Sequence, residues 1–594
     1  MEKHIKTRYS VQEAFQLIIE PGEDSELSEL DESDDENVEI PDEILEEVIP
    51  GDDGNDQDQV EVPEENQGGK KAKSTRRKSE KKEEHIFKWC KKEPPKIGTT
   101  FTGGRFSQPP DDVDDMTPLR YFKLFWGDDL TSLLSEQTNL YSVQKSGKSI
   151  NTTKDEIEKL LGLQMYTSII KMPSYALYWA AETRYAPVAD IMSINRYKKL
   201  RQYLHVSNNT FAKNDENKGN RLYKIQPVLD HVRDNCLKIE PEIENSIDQQ
   251  IIPAKTKYSG IRQYNPKKPV KWGFKNFVRA GKSDMMYDFF LYAGASTTSE
   301  KCTGEYVVLR LSEALPKNQN FKLFFDNWFF TLALCIKLKK MGMLTTATLR
   351  VDRLKGCPVP KDKDLMKEGR GSSSYRCDTN SGITVLKWYD NKCVQMCSTY
   401  SSPSEISTVS RWDRVQKKYV VIDCPNTIKE YNGSMGGVDL ADMLISLYRT
   451  NIKTRRWYLK VLFHCVDISK VNAWLLYRRH CHQMNVSKKQ QLSLLKFTSA
   501  IAHGLANAAK VPHVGRPGKR RASDTPSSVP RKQPAPVPYD DSQYDNVAHW
   551  PEFRKKKNKC RLCKVNFSRV YCKKCNLCVC LNSNRNCYYD FHTK

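Results

Sequence analysis

Two groups of residues carry chemistry by their type and spacing. The first is acidic. Asp248 follows the apolar Ile247, Asp326 closes the run Leu323-Phe324-Phe325, and Asp439 follows Gly436-Gly437-Val438. Asp442 stands three residues beyond Asp439, so both share one face if that segment is helical. A carboxylate at the end of a buried strand is costly to desolvate unless a cation or a donor meets it. Taken singly, each Asp reads first as a helix cap or turn former, and spacing alone does not decide. Brought together, three of them would need a divalent cation. Mg²⁺ takes hard oxygen ligands, and two such ions clamp the attacking and leaving oxygens of an in-line phosphoryl displacement.

The second group is soft. Cys560-x₂-Cys563, Cys572-x₂-Cys575, Cys578-x-Cys580, Cys587 and His592 supply eight ligands within 33 residues. A tetrahedral Zn²⁺ uses four, so two Zn²⁺ ions are the natural count. A segment this short and basic has little core of its own, and metal binding would supply its folding energy. The other 11 of the 18 cysteines are scattered singly. That pattern suits a local metal site in a reducing compartment better than a disulfide framework.

Cations accompany the acids. Lys267-Lys268-Pro269-Val270-Lys271-Trp272-Gly273-Phe274-Lys275 follows the first Asp, and Lys453-Thr454-Arg455-Arg456-Trp457 follows the third. In a strand, Lys271 and Lys275 share a face. These clusters suit DNA phosphates, which position a duplex without reading its sequence. They read equally as solvated faces with core tryptophans. The net charge of +22 conceals a polarity, because residues 20–66 hold 22 Asp/Glu and no Lys or Arg. A strongly basic remainder points to nucleic acid as the partner, with the acidic tract as its competitor. Ser25, Ser28 and Ser33 lie in that tract, where phosphorylation would deepen the charge. Lys70-Lys71-Ala72-Lys73-Ser74-Thr75-Arg76-Arg77-Lys78 reads as a nuclear localisation signal or a solvated charge run. Gly515-Arg516-Pro517-Gly518-Lys519-Arg520-Arg521 reads first as a flexible basic linker, and otherwise as a minor-groove arm or second nuclear signal. No run of 18 apolar residues occurs, and Met1-Glu2-Lys3-His4 opens no apolar stretch, so neither a membrane span nor a secretory signal is expected.

These residues need elements to position them. Residues 1–96 are too polar and charged to offset ordering entropy and are expected to be disordered. A mostly helical block follows at 97–243, with Thr153 as N-cap and Glu156 at N3 of one helix. From 244 the period shortens: strand-like runs at 246–248, 272–280, 285–295 and 321–325 alternate with helical stretches at 306–315 and 332–341, an α/β layer. Residues 353–428 look like a loop-rich, β-leaning insertion. Helices resume at about 437–508, residues 510–554 form a basic Pro-rich linker, and 555–594 form the cysteine module.

Ser246-Ile247-Asp248, Phe325-Asp326-Asn327-Trp328-Phe329 and Met435-Gly436-Gly437-Val438-Asp439-Leu440-Ala441-Asp442 resemble the three acidic motifs of the piggyBac transposase family. Between and around them, in the same order, stand Thr138-Asn139-x-Tyr141, Leu204-His205, Lys268-Pro269-x-Lys271-Trp272-Gly273-Phe274-Lys275, Gly304-Glu305-Tyr306, Thr348-Leu349-Arg350 and Arg456-Trp457-Tyr458. The resemblance covers about 97–594. It implies an RNase H-like catalytic core at 244–352 and 429–448, interrupted by the 353–428 insertion. A helical DNA-binding and dimerisation domain would be assembled from 97–243 and 449–509. It implies Asp248, Asp326 and Asp439 as Mg²⁺-binding catalytic carboxylates, with Asp442 a supporting acid. Lys268, Lys271, Lys275, Arg455 and Arg456 would face DNA. The implied activity is nicking at transposon ends, hairpin formation and joining into TTAA targets, by a nuclear homodimer acting on double-stranded DNA. A domesticated DNA-binding protein without transposition is the alternative, and a ubiquitin ligase or chromatin reader built on the last domain a third. The sequence departs from the family at Gln249, where Glu is common, at Thr346–Arg350, and at Asn195-Arg196-Tyr197. The cysteine module resembles the family's cysteine-rich domain and is similar to RING and PHD fingers. A cross-brace of that type would pair Cys560 and Cys563 with Cys578 and Cys580, and Cys572 and Cys575 with Cys587 and His592. Ser583 stands where some members carry a His, so Cys578 is taken as the substitute ligand.

Overall fold

The computed structural model describes residues 85–507, except 94–97, 105, 114–115, 215–216, 218, 256–259, 267, 269, 295–301, 355 and 414–415, together with Gln543 and residues 549–593. The acidic tract, the basic cluster at 70–78 and the basic segment at 515–521 lie outside the described residues. Two compact units are present, Met1–Val511 and Pro512–Lys594.

The first unit is built on one mixed sheet. Its strands are β1 (Trp89–Cys90), β2 (Glu244–Pro253), β3 (Arg262–Tyr264), β4 (Trp272–Gly281), β5 (Met286–Leu291), β6 (Phe321–Phe325), β7 (Met343–Thr348), β8 (Ser373–Asp378), β9 (Thr384–Tyr389) and β10 (Cys393–Ser398). They run in the order β1-β8-β9-β10-β7-β6-β2-β4-β3, and β5 also pairs with β4. β2 is the pivot: antiparallel to β4 on one side, parallel to β6 on the other, with β7 parallel beyond. The parallel pair β6 and β7 is joined by the Leu332–Lys340 helix, as a parallel connection requires a crossover.

Alternation along β4 divides the two faces. Phe274, Val278 and Ala280 pack in one core with Val438, Ala441, Tyr458, Leu462 and Phe497 of the helices that follow the sheet. Phe277 belongs to the opposite core, with Ile247, Val307, Leu311, Leu334 and Leu338. The central strands are therefore covered on both sides, and burying each aromatic ring contributes on the order of 1.5–3 kcal/mol. Hydroxyl caps start the helices: Ser193, Thr303 and Thr331 accept from Arg196, Tyr306 and Leu334. The expected cap at Thr153 is present and accepts from the Glu156 N–H. The Glu156 carboxylate does not return to the Thr153 N–H to complete a capping box. It takes Arg196 at 2.5 Å and Thr152 at 2.8 Å instead.

Three expectations need correction. The segment assigned to a disordered 1–96 includes β1, where Lys88 N–H and His85 both bond the buried Asp378 and pull the strand onto β8. Residues 353–428 are less an appendage than expected, because β8–β10 extend the main sheet through the β10–β7 pairing. Among the described residues of that stretch, only the hairpin of β11 (Ile406–Asp413) and β12 (Lys418–Pro425) forms a sheet of its own. Asp248 does not end its strand either. β2 continues to Pro253 because β4 still pairs with it, and the polar Gln249 and Gln250 only look like a break.

Candidate carboxylate and metal centres

The sheet register positions the first two acids. Ile247 pairs with Phe325 in the parallel β2–β6 ladder, and β6 stops there. Asp248 is thus the first residue of β2 past the end of its parallel neighbour, and Asp326 is the first residue past that end. Asp326 accepts from Asn327 N–H at 2.6 Å and Thr348 Oγ1 at 2.5 Å. The turn behind it is tied by Arg353, which donates to the carbonyls of Asn327 and Phe330, each at 2.7 Å. Gly304 backs the same turn, where an added Cβ would stand 2.5 Å from the Trp328 carbonyl oxygen.

Asp439 arrives from the other core, in the first turn of the Gly437–Leu447 helix. Gly437 lets that helix touch the sheet: a Cβ there would lie 2.4 Å from the Gly281 oxygen and 2.8 Å from Ser246 Oγ. Lys268, from the loop between β3 and β4, sets its ammonium 3.9 Å from Asp248 Oδ2 and 3.6 Å from Asp439 Oδ1. Burial pushes the Asp248 carboxyl up to about 6. Lys268 and the Gln249 N–H oppose that shift, and the charges of Asp439 and Asp326 add to it. Desolvation of this kind favours a neutralising partner, and the all-oxygen donors suit a hard cation by type. The three acids do not, however, form one of the sets of described residues whose ligand atoms lie within 4.8 Å of one another.

Asp442 is otherwise engaged. It accepts from Arg449 at 3.0 Å and from Gln250 Nε2 at 3.2 Å, and Gln250 Oε1 in turn meets His464 Nε2 at 2.9 Å. This chain anchors the helix to β2 and to the long Trp457–Gln483 helix. Sequence reasoning missed Gln250, Arg449 and His464, none of which carries a spacing signal.

The cations expected to face DNA divide. Lys275 lies over the rings of Trp328 and Phe277, at 5.1 and 5.5 Å. Lys271 and Arg455 are exposed. Arg456 is a correction: it is buried, and its guanidinium donates to the carbonyls of Gln202, Leu204 and Arg201, capping the end of the Ile194–Tyr203 helix. A fork with five donors suits orphan helix carbonyls as well as it suits phosphate. The motifs around it converge on the same place. His205 bonds Tyr458 at 3.0 Å and stacks on Tyr141, and Thr138 accepts from the His205 N–H.

Among the described residues, two sets bring their ligand atoms within 4.8 Å of one another, both in the second unit: His549, Cys572, Cys575 and His592, and Cys560, Cys563, Cys580 and Cys587. Strand β13 (Pro551–Lys559) leads from the first set to the second, and β14 (Phe567–Cys572) leads back. His592 Nδ1 donates to the Tyr588 carbonyl at 2.7 Å, which leaves Nε2 for Cys575 at 3.5 Å. Backbone N–H groups of Asn566 and Val565 draw the Cys563 thiol down to about 6, toward the thiolate that binds metal. The interleaved pairing expected from the sequence holds in outline and differs in two ligands. Cys578 donates to the carbonyls of Asn558 and Ser568, both at 3.2 Å, away from either set. Cys580 enters the set with Cys560, Cys563 and Cys587, while Cys578 is turned to those two carbonyls. Cys587 joins Cys560, Cys563 and Cys580, and His549 completes the other set. His549 lies within the stretch assigned to the linker, with no Cys-x-x-Cys partner to reveal it.

Residues 117–474, well over half of the chain, match the family described as Transposase IS4. Over 502 residues the chain is 28% identical to the human PiggyBac transposable element-derived protein 3, covering 83% of this chain and 79% of that protein. It is 26% identical over 459 residues to the human PiggyBac transposable element-derived protein 2, covering 76% and 72%. Its fold resembles that of a piggyBac transposase solved as a synaptic complex with hairpin DNA, with a TM-score of 0.60 at 20% identity. That match covers 80% of this chain and 99% of the other.

Proposed function

This chain belongs to the piggyBac-type transposase family, and from that premise we propose that it is a metal-dependent cut-and-paste DNA transposase centred on Asp248, Asp326 and Asp439. The observation that carries the reading is the placement of Asp248 beside the end of β6, with Asp326 at that end and Asp439 tied to Asp248 through Lys268. The strand pattern around β2, antiparallel toward β4 and β5 and parallel toward β6 and β7, supports an RNase H-like core. In this reading Mg²⁺ held by the three carboxylates supplies positive charge to phosphodiester transfer.

The residues then divide the work. Thr348 and the Asn327 N–H fix the rotamer of Asp326. Arg449 and Gln250 hold Asp442, which keeps the Asp439 helix in register with β2. Lys271, Lys275 and Arg455 receive DNA phosphates near the carboxylates. End nicking, hairpin formation and strand transfer into TTAA are the steps proposed, each forming one P–O bond as another breaks. The helical segments at 97–243 and 449–509 serve DNA binding and dimerisation. The two Cys/His sets hold Zn²⁺ and present the C-terminal unit to transposon ends, and the protein works in the nucleus.

The test is excision of a donor DNA bearing the matching terminal repeats, with Asp326→Ala as the control. The expected outcome is excision by the wild type and none by the variant, with DNA binding kept by both. A second reading, a domesticated DNA-binding protein, draws on the relatives, which are named as transposable element-derived. Wild-type protein that binds these ends without excising them would favour it.

A further inference from the structure

We propose that Lys268 is the internal counter-ion of the carboxylate centre and that it exchanges places with the divalent cation. The proposal rests on the reading of Asp248 and Asp439 as metal ligands. These two side chains come from different elements, the middle of β2 and the first turn of the Gly437–Leu447 helix. Lys268 is the group that spans them, at 3.9 and 3.6 Å. Both separations exceed a hydrogen bond, so charge rather than directed bonding holds the ammonium. An ion pair of this kind is released more readily than a bidentate fork.

The residue type suits exchange. A Lys ammonium is a point charge on a flexible four-carbon stem, whereas Arg would lock two oxygens in a plane. Lys268 also sits on the loop between β3 and β4, not inside a strand, so its stem can swing without breaking a ladder. A dication and an ammonium sharing the same two carboxylates repel each other twice as strongly as two ammonium groups would. Metal entry therefore expels Lys268 from between Asp248 and Asp439. The freed cation remains a side chain's length from the carboxylates, where a phosphate bound beside them would accept it. Metal loading and the arming of a phosphate contact are one event in this scheme.

The experiment uses the full-length chain without DNA and Mg²⁺ as the probe. Binding is followed by calorimetry and by the rise in melting temperature. Lys268→Met, and Lys268→Gln as a second charge-removing variant, should bind Mg²⁺ about tenfold more tightly than the wild type, the scale of losing one neighbouring like charge. Without metal both should melt lower, since Asp248 and Asp439 then repel unscreened. Lys268→Arg should bind Mg²⁺ more weakly than the wild type, because its fork is harder to displace from the two carboxylates, and Lys271→Met should leave Mg²⁺ affinity unchanged. A readout on the unmutated chain is lysine-reactive footprinting by mass spectrometry, in which Mg²⁺ should raise labelling of Lys268 and leave Lys271 unchanged. Metal affinity within twofold of wild type in both charge-removing variants, or Lys268 labelling indifferent to Mg²⁺, overturns the exchange. Asp248→Asn separates the two ideas: if it binds Mg²⁺ as the wild type does, the carboxylate reading itself fails.

Discussion

His464 is buried on the long Trp457–Gln483 helix, and its Nε2 donates to Gln250 Oε1 at 2.9 Å. Its Nδ1 has no hydrogen-bond partner. Burial, and then the charge of Arg449, push the imidazole down to about 3. The folded chain therefore holds His464 neutral at pH values where the unfolded chain protonates it, near 6.5. More protons bound by the unfolded state mean stability that is full above about 6.5 and falls as pH drops toward 3. Between pH 7 and pH 5 that loss is about 2 kcal/mol for one proton taken up below 6.5. His464→Gln should remove most of this pH dependence, read from urea denaturation at the two pH values. An unchanged slope would place the acid sensitivity elsewhere. No neighbour in the sequence marks His464. Its role follows from facing Gln250, which alternation along β2 turns to the same side as Asp248.

The elements are joined by groups as deeply buried. Asp467 and Lys470 are fully inside the fold and 2.8 Å apart. Asp467 also accepts from Thr450 N–H and Thr450 Oγ1, both at 2.9 Å, and Lys470 donates to the Tyr448 carbonyl at 2.6 Å. This clamp fixes the link between the Asp439 helix and the long helix, and hence the start of Arg449's reach to Asp442. Asp467→Asn leaves Lys470 buried and uncompensated, and should cost about 3–5 kcal/mol in chemical denaturation. Asp467→Asn combined with Lys470→Met should recover much of that loss, since removing both charges removes the desolvation problem. A double variant no better than the single one would mean the clamp acts by shape alone. At this scale the helices and the Thr153 cap were legible, because period and cap are local. The length of β2 was not, because it depends on β4 pairing beyond Gln250. Arg456 was misread for the same reason: a cation in a basic run looks solvated until the carbonyl end of another helix is found around it.

At the scale of the whole molecule, the second unit has the sharpest test of ligand assignment. Full-length protein should carry two Zn²⁺ per chain by elemental mass spectrometry. His549→Ala should lower this to about one, and Cys578→Ser should leave it at two. The reverse result would restore the pairing read from spacing. In the sequence alone, residue types and local pattern were legible: seven of the eight Cys and His residues of the two close sets, three acids in ordered motifs, and an α/β layer with helices before and after. Those properties belong to residue type and to local period, which a single chain segment expresses. Which His completes a site, which of Cys578 and Cys580 turns inward, and which lysine stands between Asp248 and Asp439 were decided by the tertiary structure. Each depends on a partner brought from a distant segment, at a distance that only packing sets.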